Sequence, residues 1–244
     1  FVGITGGKIS FLGKAAPVEK PKKIMDATGL VLMPGLIDTH CHLTHSILRN
    51  YRDDLPPLER LETQLLPKLD RMDRRIAAAA ATLSIAEALR SGSTSLSVLD
   101  RFCGPIAQVV ADSGIKCNLA PAAEWYGEDF DLDEDLPGQQ LQALHRRWAG
   151  FDGGRLQIEA GIHSEYTSGY QLWEALGRYA AQEGLGMQLH LGQTAAECDR
   201  CLDRYGMPPA QLLDCHGLFG KRVLAAGGGA LMPEDWQCLA RHSA

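Results

Sequence analysis

From residue 34 onward the chain alternates short apolar runs with longer helix-forming stretches, and this rhythm limits the fold more than any other feature. Strands joined by helical crossovers run parallel and read as continuous apolar segments, because both faces of their sheet are covered. Residues 36–42 read as the first strand, 94–99 as the second and 115–123 as the third. Residues 155–163, 186–191 and 222–226 follow as the fourth, fifth and sixth. Helices are expected over 73–91 (an alanine-rich run ending at Gly92), 105–113, 141–148, 172–184, 195–205, 209–215 and 234–242. Six β-α units at roughly 35 residues each compare with about 250 residues for a complete eight-unit barrel. The fold class is therefore α/β, six-eighths of a (β/α)8 TIM-type barrel over residues 34–244. A doubly wound open sheet is the alternative, although no G-x-G-x-x-G follows a strand.

Residues 1–33 have a different texture. Two β-rich runs around Gly6-Gly7 predict a hairpin, and 23–27 and 30–33 predict two further short strands. Together they read as part of a small N-terminal β-sandwich, too little to stand alone.

A formal charge of −6 gives no reason to expect nucleic acid or an anionic membrane surface as partner. No apolar run approaches the length of a membrane span, and no signal peptide is visible. Seven cysteines form no regular framework, which suits a reducing, cytoplasmic setting. Cys198 and Cys201 form a C-x-x-C, but it lies in a predicted helix without a second pair, so these thiols are read as structural. The first residue is Phe1, and the chain is read as a piece of a longer protein. An open sheet would leave strands one and six as unpaired edges, so self-association into a homo-oligomer is expected.

In a barrel, chemistry gathers at the carboxyl ends of the strands. Strand one ends in His40-Cys41-His42, strand four in His163 and strand five in His190. Alternate residues of a strand share a face, so His40 and His42 point the same way. Two such imidazoles can hold one divalent ion, zinc in preference to iron, and His163 and His190 at the other strand ends are candidates to share it. His45, His145, His216 and His242 fall on loops or helices and are given no role. The acidic stretch 128–135 reads as a solvated loop, and Trp125 and Tyr126 lie near the expected mouth.

The stretch 29–43, ending Asp38-Thr39-His40-Cys41-His42-Leu43, resembles the first barrel strand of the amidohydrolase superfamily. More narrowly it is similar to the branch of cytosine, guanine and S-adenosylhomocysteine deaminases and chlorohydrolases. Residues 48–56, 91–95, 161–168 and 190–194 resemble further segments of that branch in order. A TatD-type metal nuclease begins in much the same way, but would leave the N-terminal β segment unexplained.

The resemblance implies one zinc or iron ion on His40, His42, His190 and an aspartate after strand eight. It also implies attack by metal-bound hydroxide on a small heterocyclic substrate, with release of ammonia. His163 would then contact the substrate or the developing charge. Trp125 and Tyr126, from their place near the mouth, either stack on a planar base or pack within the fold.

Several positions depart from that pattern. Gln193 stands where the branch has a proton-shuttling glutamate, and Gly227 where it has a hydroxide-orienting histidine. An amide takes no proton from water at neutral pH, and glycine has no side chain to offer. Strands seven and eight are expected outside these 244 residues. Arg60 replaces an aromatic that covers the substrate in related enzymes. Two functional readings follow. One is a metal-dependent hydrolase of non-peptide C–N bonds, deaminating a purine, pyrimidine or related heterocycle, with activity impaired by these changes. The other is a catalytically silent homologue or fragment acting as a binding module.

Overall fold

The computed structural model describes residues 1–220 and 222–242. Contacts divide the chain into two units, Phe1–Pro34 and Gly35–Ala244.

In the first unit β1 (Val2–Thr5) and β2 (Lys8–Leu12) pair antiparallel. The turn falls on Gly6 and Gly7, both at positive φ, the backbone that a tight two-residue hairpin needs. The predicted strands at 23–27 and 30–33 are not formed. An apolar run becomes a strand only where a neighbour takes up its backbone hydrogen bonds. Within this unit β1 and β2 pair only with each other, and Leu30, Val31, Leu32 and Met33 are exposed. The sandwich reading therefore reduces here to one hairpin.

The second unit carries all six predicted strands. They are β3 (Leu36–Cys41), β4 (Ser93–Asp100), β5 (Lys116–Pro121), β6 (Leu156–Ile158) with β7 (Ala160–Ile162), β8 (Met187–Leu191) and β9 (Val223–Gly227). Every pairing among them is parallel, and neighbours in the sheet are neighbours in sequence. A doubly wound sheet reverses direction at a switch point. No reversal occurs among the described strands, so the singly wound order of a barrel is the one observed.

The fourth predicted strand is broken at Glu159. Its first half, β6, pairs with β5, and its second half, β7, pairs with β8. The two sheets stay joined through a parallel bridge between Ala123 and Ile162 and a 2.9 Å bond from the His163 amide to the Ala123 carbonyl. β3 and β9 form the two edges.

Helices cover the sheet as the apolar spacing predicts. Helix Arg74–Arg90 begins at Asp73, whose carboxylate accepts from the amides of Arg75 and Ile76 at 2.8 Å. Helix Cys103–Ser113 ends at Gly114, with φ of 80°. Helix Leu136–Trp148 starts five residues earlier than predicted, because the acidic loop before it is ordered by its own carboxylates. Asp131 accepts from the amides of Asp133 and Glu134, and Asp135 from that of Asp131. One apolar core runs between the helices and the sheet, from Leu43 and Ile85 through Leu119, Ile162 and Trp173 to Leu213 and Leu239. The seven cysteines are free thiols, and no helix among the described residues is long and apolar enough to cross a membrane.

A helical stretch over 57–69, built from Pro57–Arg60, Leu61–Leu65 and Leu66–Leu69, was not foreseen. Its signal was present: Leu58, Leu61, Leu65 and Leu69 recur at helical spacing. Pro57 and Pro67 disguise it, although Pro57 opens the first turn, where no amide is needed, and Pro67 follows the wider π turn of Leu61–Leu65.

The joint between the two sheets is tight at Gly161. A Cβ there would stand 2.2 Å from the Pro121 carbonyl oxygen and 2.8 Å from Leu99 Cδ1. Gly161→Ala is therefore expected to lower unfolding free energy by about 1–3 kcal/mol. A urea titration should show this as a lower midpoint at unchanged slope.

Candidate metal centre

Parallel strands bring their carboxyl ends to one rim, and the histidines meet there. Nε2 of His190 lies 3.1 Å from Nε2 of His42 and 3.2 Å from Nε2 of His40, across 148 and 150 residues of sequence. His40 comes from β3, while His42 sits one residue beyond it, at the start of the turn Leu43–Leu48. That turn is held by Asp100 at the end of β4. Its buried carboxylate accepts from the Thr44 amide at 3.0 Å and from the Thr44 hydroxyl at 2.9 Å.

The other ring nitrogens fix the tautomers. Nδ1 of His42 lies 2.5 Å from the Leu99 carbonyl oxygen, and Nδ1 of His190 lies 2.6 Å from that of His163. A carbonyl only accepts, so both Nδ1 atoms carry the proton and both Nε2 atoms present a lone pair. Two lone pairs facing each other at 3.1 Å repel unless a cation sits between them. Tetrahedral zinc with Zn–N bonds of about 2.05 Å spaces its nitrogens at about 3.3 Å. The three Nε2 atoms fit that group, and the carbonyls are the outer-shell partners that orient such ligands.

Burial keeps these rings neutral, as metal ligands must be. Desolvation pushes His40 down, His42 well down and His190 down to about 4. His163 is buried beside His190, ring centroids 5.2 Å apart, and desolvation pushes it down to about 3. The Thr167 hydroxyl donates to the Ser164 carbonyl, so Nδ1 of His163, 3.0 Å away, donates to that hydroxyl. Nε2 of His163 is left as an acceptor.

The centre opens into a cavity of about 190 Å³. His42, His163, His190 and Gln193 line it, together with the 57–69 segment through Leu58, Arg60, Leu61 and Leu65. Arg60 is held there by an ion pair to Asp53 at 2.6 Å and a 2.8 Å bond to the Tyr51 carbonyl. Trp125 is not part of this lining. Its Nε1 donates to the Asp129 carbonyl at 2.7 Å and its ring packs edge-on against Phe130, so it closes its own loop.

Residues without a role in the sequence reading also border the cavity, among them His45, Asp100, Arg101, Tyr166 and Glu197. His45 stacks on His42 with centroids 4.5 Å apart. Its signal was its position three residues after His42, which the helical turn brings back over the ring. Glu197 accepts from the Gln193 amide at 3.0 Å and from the Thr194 hydroxyl at 3.1 Å. Both its oxygens are engaged at the start of helix Ala195–Tyr205, so it holds the Gln193 turn in place.

Gly227 ends β9 opposite Leu191, at φ of 111°, and a Cβ there would lie 2.9 Å from the Leu191 carbonyl oxygen. The position does more than lack a histidine. Its backbone also holds a positive φ that would strain any side chain placed there.

The buried rings set an acid limit on the metal-free fold. An unfolded histidine titrates near about 6.5, whereas His163 and His190 in the fold titrate at about 3 and 4. Between those values the unfolded chain binds more protons at these two rings, so the stability they contribute is complete above about pH 6.5 and is lost as pH drops through that window. Thermal melts of the chelator-treated protein should fall steadily from pH 6.5 towards 4. His163→Gln should flatten part of that slope.

Residues 31–244 match the Amidohydrolase family. The chain is 30% identical over 219 residues to the 5-methylthioadenosine/S-adenosylhomocysteine deaminase of Thermococcus onnurineus, covering 90% of this chain and 51% of that protein. It is 30% identical over 224 residues to the 5'-deoxyadenosine deaminase of Methanopyrus kandleri, covering 90% and 51%. The chain thus spans about half the length of these relatives. Among solved structures, a zinc-bound adenosine deaminase from Xanthomonas campestris superposes with a TM-score of 0.76 at 26% identity, covering 86% of this chain and 48% of that one. A guanine deaminase from C. acetobutylicum shares the fold, with a TM-score of 0.76 at 16% identity over 86% and 52%. With its parallel strands in barrel order and its histidines at their carboxyl ends, the chain belongs to the amidohydrolase family.

Proposed function

We propose that this chain forms the metal- and substrate-binding part of a metal-dependent hydrolase of non-peptide C–N bonds, one that deaminates an adenine-type or related heterocycle. The observation that carries this reading is the facing pair of Nε2 lone pairs on His42 and His190, with Nε2 of His40 beside them. The named relatives and the zinc-bound neighbour support the substrate class and favour zinc over iron. A divalent ion bound there supplies a nucleophile by bringing the pKa of its water to about 7.

The chain's own residues set the rest. His163 offers an Nε2 acceptor at the cavity wall, suited to a ring N–H or an exocyclic amine of the substrate. The leucines of 57–69 cover one side of the cavity with apolar surface. The carboxamide of Gln193 can hold a water or a substrate nitrogen by hydrogen bonds, but cannot carry its proton.

Gln193 and Gly227 also favour a second reading, a homologue that binds metal and heterocycle with little turnover. Ammonia release from zinc-loaded protein, measured over adenosine, guanine and cytosine derivatives, separates the two. The hydrolase reading expects slow release that Gln193→Glu raises by roughly 10²–10⁴-fold, the usual worth of a positioned acid-base group. Saturable binding of a heterocycle with no release in either form would establish the silent reading. His190→Ala should remove one equivalent of zinc, measured by metal analysis of the purified protein.

A further inference from the structure

A second cluster of metal-ligating side chains lies away from the cavity, between helix Pro209–Cys215 and helix Pro233–Arg241. Cys238 and His242 stand four residues apart, so the helical turn brings both to one face. Asp214 reaches them from the other helix. One of its carboxylate oxygens lies 2.7 Å from Nε2 of His242, and the other 3.4 Å from Sγ of Cys238. All three ligand atoms fall within 4.8 Å of one another. In a tetrahedral zinc-type site, S, N and O ligands are spaced by about 3.3–3.6 Å. Small side-chain rotations therefore suffice.

The surroundings favour a cation. Both helices end here, at Cys215 and Arg241, and their terminal carbonyls give the site a negative field. The thiol is fully buried, the carboxylate half-buried and the imidazole at the surface, which leaves one open side for entry and for a water ligand. Phe219 packs against the His242 ring at 5.9 Å and limits its swing. A divalent ion would neutralise the carboxylate and a buried thiolate together, where a lone buried thiolate would be costly.

We propose that Asp214, Cys238 and His242 form a second, structural site for a borderline-soft divalent ion such as Zn²⁺, Co²⁺ or Cd²⁺, with water in the fourth position. The ion takes the place of the Cys238 thiol proton, which passes to solvent. The S–H bond is replaced by a metal–sulfur bond, with no change of oxidation state. The ion then clips the helix after β9 to the helix before it.

Cobalt titration tests this, because a thiolate ligand adds a sulfur-to-cobalt charge-transfer band that a three-histidine site cannot give. The metal-free chain, titrated with Co²⁺ in a non-thiol reductant, should bind two ions, one of them with that band. Cys238→Ser should lose the band and one equivalent. His242→Ala, a change at an exposed helix end that leaves the core intact, should do the same with unchanged circular dichroism. His190→Ala should keep the band and lose the other equivalent. A folded wild-type protein that binds Co²⁺ without the band would overturn the proposal. So would a band that persists in Cys238→Ser.

Discussion

Two backbone carbonyls organise the centre of this protein. The carbonyls of Leu99, near the end of β4, and His163, just past β7, each accept a hydrogen bond from the far nitrogen of an imidazole. Each carbonyl thereby turns the near nitrogen of His42 or His190 towards the shared point. Their positions depend on the parallel ladders, since a one-residue slip in β4 or β7 would turn the carbonyl the other way. The tight joint at Gly161 fixes β7 against β5, and the Thr44–Asp100 bonds fix the turn that carries His42. The geometry of the imidazole cluster and the sheet register are here one constraint.

The same framework explains why the departures at Gln193 and Gly227 do not disturb the three-histidine cluster. Gln193 lies in a turn held by Glu197 and Thr194, outside the ring nitrogens. Gly227 is engaged in the ladder with Leu191 and adopts a backbone that a side chain would strain. His42 and His190 owe their orientation to the Leu99 and His163 carbonyls and not to the side chains at 193 and 227, so those two positions can change while the cluster persists.

Regular alternation made the six strands and most helices legible. Long apolar periods leave few other solutions, and the helix boundaries at Asp73 and Gly114 follow ordinary capping rules. The strands at 23–27 and 30–33 were misread because propensity describes a residue's fit to a sheet, while a strand also needs a partner. The 57–69 segment is hard to read from sequence because Pro57 and Pro67 interrupt its leucine period. Of the two roles open to Trp125 in the sequence, packing is the one whose partners are visible: its indole N–H and ring edge are engaged within its own loop.

By itself the sequence determined the parallel α/β alternation, the three histidines at strand ends, and the absence of an acid-base side chain at Gln193 and Gly227. These are properties of residue type and local period, which need no knowledge of distant neighbours. Tertiary structure alone decided the singly wound order, the tautomers of His42 and His190, and the stacking of His45. It also brought Asp214 to Cys238 and His242, and committed Gly227 to a conformation that would strain a side chain. Each of these depends on atoms far apart in the chain, whose approach is set by sheet register and packing.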